Sequence, residues 1–63
     1  MSEQVRLLTR QQAAEKLLIS LRTLHRLAAE GALVGARMGG HRVVFREIDV
    51  ERYIEKQFQK AAN

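Results

Sequence analysis

The chain has 63 residues, no cysteine and a formal net charge of +4. A chain this short forms one domain with a modest core, because folding hides only about 60% of its unfolded surface. Without cysteine there is no disulfide framework, so packing alone must stabilise the fold. The charged opening residues and the short apolar stretches indicate neither a secretory signal nor a membrane span, and they predict a cytoplasmic protein.

The net positive charge lies in the centre of the sequence. Between residues 20 and 46 five arginines accompany a single acid, Glu30, whereas six bases and six acids elsewhere cancel. The planar guanidinium of arginine matches phosphate and guanine edges in a way that a lysine ammonium does not. This distribution favours a polyanion as partner. The alternative is that the charge only keeps a small protein soluble.

The first predicted elements are an arm and a short helix. Residues 1–8 show neither a cap nor a period, and we expect an extended arm whose apolar side chains lie against the core. Thr9, followed three residues later by Gln12, fits a capping box. A first helix is therefore predicted to start after Thr9 and to end near Leu18.

A second helix is predicted between Ser20, an N-cap candidate, and Gly31, which favours the left-handed conformation that ends helices. Two short helices about three residues apart are typical of a helix-turn-helix. Leu24, Leu27 and Ala28 are expected to form the buried stripe. The remaining faces carry polar side chains: Arg22, Thr23, His25 and Arg26.

Alternating residues on both sides of Gly39-Gly40 predict a β-hairpin with a two-residue turn. The expected partners are Val34 with Phe45, Ala36 with Val43 and Arg37 with Arg42. Two arginines facing each other destabilise a ribbon unless an anion lies between them. The hairpin is therefore predicted to bind phosphate.

Asp49 is the third cap candidate, before a helix expected to pack over the hairpin. Its apolar stripe contains Val50, Tyr53, Ile54 and Phe58. The predicted fold class is α+β, with three short helices and a two-stranded antiparallel hairpin between helices 2 and 3. The predicted organisation is an N-terminal arm over 1–8, a domain over 9–58 and a frayed tail over 59–63.

Several short motifs occur in the order and spacing of a known family. They are Leu7-Leu8-Thr9, Ala13-Ala14, Leu17-Leu18-Ile19-Ser20, Thr23-Leu24-His25-Arg26-Leu27, Gly31-Ala32-Leu33, Arg37-Met38-Gly39-Gly40-His41-Arg42, Phe45-Arg46 and Asp49-Val50-Glu51-Arg52-Tyr53-Ile54. Together they resemble the excisionase-type branch of the MerR-like winged helix-turn-helix DNA-binding family over residues 7–54. That family usually has glycine in place of Leu18 and proline in place of Val34, so the turn and the start of the strand are expected to differ in detail.

The resemblance implies a protein that binds double-stranded DNA, with the second helix in the major groove and the hairpin, or wing, on the adjacent minor groove or its phosphates. It further implies a recombination directionality factor that bends attachment-site DNA, self-associates cooperatively on it and directs an integrase, in a bacterial or phage nucleoid. The candidate DNA-binding residues are Thr9, Arg10, Ser20, Arg22, Thr23, His25, Arg26, Arg37, Gly39, Gly40, His41, Arg42 and Arg46. No cofactor, metal, membrane or small-molecule substrate is expected.

Other interpretations stay open at this point. The same domain serves a small transcriptional regulator equally well, although the absence of an effector domain and of a coiled coil favours the excisionase. A third hypothesis is a protein-interaction adaptor whose last helix docks a partner through Tyr53 and Phe58. His25 either contacts a base or phosphate or is a surface histidine. His25 and His41 could in principle bind a metal together, but a third ligand is missing nearby in the sequence. Catalysis finds no support, because the chain has no cysteine, only Ser2 and Ser20 as serines, and one aspartate that is better explained as a cap.

Overall fold

The computed structural model describes residues 5–62, which form three helices and a three-stranded sheet. The elements are β1 (Leu7–Thr9), α1 (Arg10–Leu17), α2 (Leu21–Ala29), β2 (Gly35–Met38), β3 (Arg42–Arg46) and α3 (Glu47–Ala61). The predicted α+β fold is confirmed, with an antiparallel hairpin between the second and third helices. This is the arrangement of a winged helix-turn-helix.

The capping box at the start of α1 forms as predicted. Thr9 Oγ1 accepts from the Gln12 amide at 3.1 Å, and Gln12 Oε1 accepts from the Thr9 amide at 2.9 Å. At the other end Leu18 adopts the left-handed conformation, with φ 60° and ψ 40°. The amides of Leu18 and Ile19 donate to the carbonyls of Glu15 and Ala14. The turn thus keeps the backbone that glycine favours, although leucine occupies it.

Both predicted ends of α2 are confirmed. Ser20 Oγ accepts from the Thr23 amide at 3.1 Å. After Ala29 the chain turns at Gly31, where φ is 85°. The Ala32 amide then donates to the Leu27 carbonyl at 2.9 Å, and the Gly31 amide to the Ala28 carbonyl at 3.2 Å. This pair of bonds is a Schellman motif, which satisfies the carbonyls that the helix leaves free.

The predicted register of the hairpin is wrong by one residue. The turn contains three residues, 39–41, so that Arg37 lies opposite Val43 and Met38 lies opposite Arg42. The remaining pairs are Gly35 with Phe45 and Ala36 with Val44. Only glycine fits opposite Phe45 at position 35, because a Cβ atom there would lie 2.9 Å from the Phe45 ring. Arg37 and Arg42 therefore do not face each other. Repulsion between them gives no argument for a phosphate site on the hairpin.

The end of the predicted arm is a third strand. Residues 7–9 form β1, which pairs antiparallel with β3 and places Leu8 opposite Phe45. The strand order is therefore β1-β3-β2, with β3 in the centre. Residues 1–4 of the predicted arm lie outside the described residues. The central position of β3 explains why Val44 and Phe45 are both buried although they point to opposite faces.

Helix α3 begins earlier and ends later than predicted. Its first residue is Glu47, and Asp49 lies inside the first turn rather than at the cap. Arg46 occupies the cap position without a side-chain cap; instead the Glu47 amide donates to the Arg6 carbonyl at 2.8 Å. The helix then continues to Ala61, into the predicted frayed tail over 59–63. The last residue of the predicted tail, Asn63, lies outside the described range.

One apolar cluster joins the helices to the sheet. Its buried members are Ala13, Ala14, Leu24, Leu27, Leu33, Phe45 and Val50. Tyr53 and Ile54 pack against this cluster, whereas Phe58 is 71% exposed and does not extend the predicted stripe. Lys16 Nζ, 3.6 Å from a Glu47 carboxylate oxygen and 3.7 Å from one of Glu51, links α1 to α3 at the surface. No helix between residues 5 and 62 has the length and apolar character needed to cross a bilayer.

Candidate nucleic-acid interface

Helix α2 and the hairpin form the two walls of an open groove, which we call the α2-hairpin groove, and the start of α1 closes one end. Its volume is about 940 Å³. Its apolar lining consists of Leu21, Leu24, Ala28, Ala29, Val43 and Phe45, and its polar lining of Thr9, Arg10, Gln11, His25, His41 and Arg42. Among these described lining residues there is no aspartate or glutamate. The groove therefore presents only neutral and basic groups to a ligand.

The side of α2 opposite the core carries arginines. With 3.6 residues per turn, Arg22 and Arg26 lie on the face that points away from buried Leu24 and Leu27. Arg26 Nη1 lies 3.3 Å from Glu30 Oε2, in an ion pair whose side chains are 62% and 53% exposed. An exposed pair of this kind stabilises a helix by only about 0.3–0.5 kcal/mol. Arg26 can therefore exchange Glu30 for a phosphate at small cost.

The hairpin carries Arg37 on its edge strand and Arg42 at the start of its central strand. Gly39 and Gly40 have φ values of 60° and 98°, and a Cβ atom on either would meet nothing within 4 Å. These glycines are thus needed for the turn and not for space inside the protein. Their open surroundings leave the tip of the hairpin free to approach a large ligand.

A family model described as a helix-turn-helix domain matches residues 7–58. This range contains both strands of the hairpin, α1, α2 and most of α3. The chain belongs to this helix-turn-helix domain family. The family includes excisionase-like DNA-binding proteins and is generally non-enzymatic. No curated protein and no solved structure matches the chain significantly.

Membership of the helix-turn-helix family supports double-stranded DNA as the partner, and the structure brings many of the candidate residues together. Thr9, Arg10, His25, His41 and Arg42 line the α2-hairpin groove. The other candidates on the same two elements are Arg22, Thr23 and Arg26 on α2 and Arg37, Gly39 and Gly40 on the hairpin. Arg10, Arg22, Arg37 and Arg42 form no ion pair with any residue in the described part of the chain.

Arg46 stands apart from this group. Its Nε and Nη2 atoms lie 2.7 and 3.2 Å from the two carboxylate oxygens of Asp49. The hydrogen bond to Asp49, with the charge of that carboxylate, raises the pKa of the Arg46 guanidinium above its ordinary value. Arg46 also lines a different surface depression, beside Glu47 and Arg52. An arginine already paired in this way has fewer donors left for a phosphate.

The two helix caps use part of the polar groups assigned to DNA. Thr9 Oγ1 and Ser20 Oγ each accept from an amide in the first turn of their own helix. The Ser20 hydroxyl donates to Thr23 Oγ1 at 3.1 Å, so these two hydroxyls are hydrogen-bonded to each other. The remaining free backbone amides at these helix starts stay available to bind a phosphate.

Sequence reasoning missed Gln11, Leu21 and Ala29, which also line the groove. Leu21 is 53% exposed although it is leucine. Its spacing gave no signal of this exposure, because Leu21 lies three residues before Leu24 and therefore on the same side of the helix. Nothing in the sequence marks Gln11, whose place depends on how α1 crosses the sheet. Within residues 5–62 no three side chains of the metal-binding types come together.

Proposed function

We propose that this chain binds double-stranded DNA sequence-specifically, with α2 in the major groove and the hairpin on the flanking backbone or minor groove. The observation that carries the proposal is that α2 and the hairpin share one groove whose described lining has no acid. The major groove of B-DNA is about 12 Å wide and admits one α-helix. A hairpin beside that helix then meets the sugar-phosphate backbone next to the occupied groove.

The proposed roles follow from position. Arg22, in the first turn of α2 and directed away from the core, is assigned to base edges, since the N-terminal residues of such helices reach them. Arg10, Arg37 and Arg42 are assigned to phosphates. The free amides at the starts of α1 and α2 add donors for phosphate oxygens. Arg46 adds to the long-range positive field rather than to a contact, because Asp49 already binds its guanidinium.

The first test is the salt dependence of duplex binding. If four or five phosphates are neutralised, the affinity should fall by roughly 10²- to 10³-fold between about 50 and 200 mM monovalent salt. Fluorescence anisotropy with a labelled duplex measures this directly. Affinity that does not change with salt would contradict the proposal.

A pair of arginine variants separates base contacts from phosphate contacts. Arg22→Ala should lower affinity for the preferred site by roughly 10- to 100-fold and change random duplexes less, because a base contact discriminates by about 1–3 kcal/mol. Arg37→Ala should weaken all sequences alike and reduce the salt slope by about one. Arg52→Ala, which removes the same charge from the surface near Glu47, is the matched control. Equal losses on preferred and random DNA for both Arg22→Ala and Arg37→Ala would refute this division of roles.

We further propose that the chain is an excisionase, or recombination directionality factor, that acts on DNA in a bacterial or phage nucleoid. The resemblance over residues 7–54 and a family that includes excisionase-like proteins support this role. A single small module contacts only a few base pairs, so selective binding needs several copies or a partner. Copies bound cooperatively to repeated sites would bend attachment-site DNA and direct an integrase.

Footprinting tests this role. Selection from random duplexes gives the preferred site, and footprints on genomic DNA that carries it show how the copies are arranged. We expect phased, cooperative footprints beside an integrase attachment site. A single isolated footprint at a promoter would instead identify a transcriptional regulator built on the same domain.

A further inference from the structure

Both histidines of the chain line the α2-hairpin groove, His25 from α2 and His41 from the hairpin turn. We propose that this groove holds a backbone phosphate of the duplex between the two imidazoles, and that DNA binding therefore takes up protons. The inference rests on the proposed function, because it names the ligand group and the pH response of the same site.

The geometry supplies donors from two separate elements. His25 lies one turn after Leu21 on the wall formed by α2, and His41 lies beside Arg42 on the opposite wall. Both imidazoles are exposed. A neutral imidazole has one N–H donor, whereas an imidazolium has two and makes a stronger, charge-assisted hydrogen bond to an anionic oxygen. Protonation therefore improves both the charge and the hydrogen bonding of the site toward a phosphodiester.

The charged groups that line the groove are all basic. Arg10 from α1 and Arg42 from the hairpin line it, and Arg37 lies on the neighbouring strand. On α2, Arg22 and Arg26 occupy the outward face, where Glu30 is paired with Arg26. Glu30 does not line the groove, and neither does any other acid among residues 5–62.

This arrangement fixes the direction of the effect. Imidazole changes its charge between about pH 5 and pH 8. A phosphodiester between the two rings favours their protonated forms, because opposite charges attract. The bound complex therefore holds more protons than the free protein in that range, and affinity rises as the pH falls from about 8 to about 6.

The experiment measures Kd for one fixed duplex at constant ionic strength across that range. We expect binding to be on the order of tenfold tighter at pH 6 than at pH 8, with a salt slope steeper by up to about two at the lower pH. The double variant His25→Gln and His41→Gln should change by less than about twofold over the same range. Arg52→Gln, which lowers the charge outside the groove, should keep the full pH response.

Calorimetry gives a readout that does not depend on affinity. Titrations in two buffers of different ionisation enthalpy count the protons taken up on binding, and we expect roughly half a proton to one proton near pH 7 for the wild type. Because both side chains are exposed, glutamine should leave the fold intact, and circular dichroism checks this.

The outcomes distinguish the inference from the function on which it rests. Failure to bind any duplex at every pH and salt concentration overturns the proposed function itself. Salt-dependent binding with the same Kd and no proton uptake at either pH leaves that function standing and overturns the phosphate site between the histidines. A pH response that persists in the double variant also overturns it, because the protons would then bind elsewhere.

Discussion

At the scale of single residues, Leu18 has a left-handed backbone conformation that residues other than glycine rarely adopt. Its φ of 60° and ψ of 40° bring Cβ close to the following carbonyl, at a cost of about 1–2 kcal/mol. The side chain is 90% exposed and so gains little from packing in return. The left-handed turn persists because the amides of Leu18 and Ile19 close the end of α1 and direct the chain into α2.

Leu18→Gly should therefore stabilise the domain. Relief of the left-handed strain exceeds the extra chain entropy of glycine in the unfolded state, which costs about 0.4–1 kcal/mol. We expect the free energy of unfolding to rise by about 0.5–1 kcal/mol in urea titrations. Gly31→Ala is the reciprocal control: its φ is 85° and a Cβ there meets nothing within 4 Å, so it should destabilise by conformation alone. A lower stability of the Leu18→Gly variant would show that the turn is not strained.

The helix caps show which structural features can be predicted from single residues of the sequence. Thr9, Ser20 and Gly31 were predicted correctly, because each acts on amides or carbonyls within a few residues of itself. Asp49 was predicted wrongly as a cap. The start of α3 is instead set by the Arg6 carbonyl, which accepts from the Glu47 amide at the end of the β1-β3 ladder, and by the pairing of Asp49 with Arg46. A carbonyl forty residues away in the chain leaves no local signal.

At the scale of elements, the contact between the two hairpin strands determines the register. Phe45 is 2% exposed and lies opposite Gly35, where a Cβ atom would be 2.9 Å from its Cε2 and 3.1 Å from Val43 Cγ1. The ring cannot withdraw, because it belongs to the core cluster. The hairpin therefore depends on one glycine that provides space, in addition to the two that form its turn.

Gly35→Ala should consequently destabilise the domain by about 1–3 kcal/mol, the usual cost of an extra methyl group pressed against packed side chains. Thermal unfolding followed by circular dichroism measures the change. Ala36→Ser, at the next position of the same strand and exposed, is the matched control and should stay within about 0.5 kcal/mol of the wild type. If both substitutions were equally harmless, the close approach of Gly35 and Phe45 would not exist in solution.

At the scale of the whole molecule, one core cluster supports every element that presents the α2-hairpin groove. Ala13 and Ala14 of α1, Leu24 and Leu27 of α2, Phe45 of β3 and Val50 of α3 all belong to it. A domain of this size rarely has more than about 3–5 kcal/mol of stability. The folded groove and the folded core are therefore lost together, in one cooperative transition.

Two leucines on α2 test this dependence. Leu24 is 1% exposed, and Leu24→Ala should cost about 2–5 kcal/mol, which is most or all of the stability of the domain. Leu21 is 53% exposed, and Leu21→Ala should change stability by less than about 0.5 kcal/mol. Urea titrations followed by far-UV circular dichroism at 25 °C distinguish the two variants. A Leu24→Ala protein as stable as the wild type would contradict the single shared core.

The sequence by itself determined the features that depend on neighbours along the chain: the capping box of α1, both ends of α2, the hairpin at Gly39-Gly40 and the central concentration of arginine. Only the tertiary structure decided the hairpin register, the third strand β1, the start of α3 and the separate position of Arg46. The position of Arg46 results from its pairing with Asp49, three residues away. The first three result from contacts between segments apart in the chain, namely Phe45 with Gly35, β1 with β3 and Arg6 with Glu47. Such contacts compete with local preference and prevail, because burying a ring or satisfying an amide outweighs the preference of one residue for one turn.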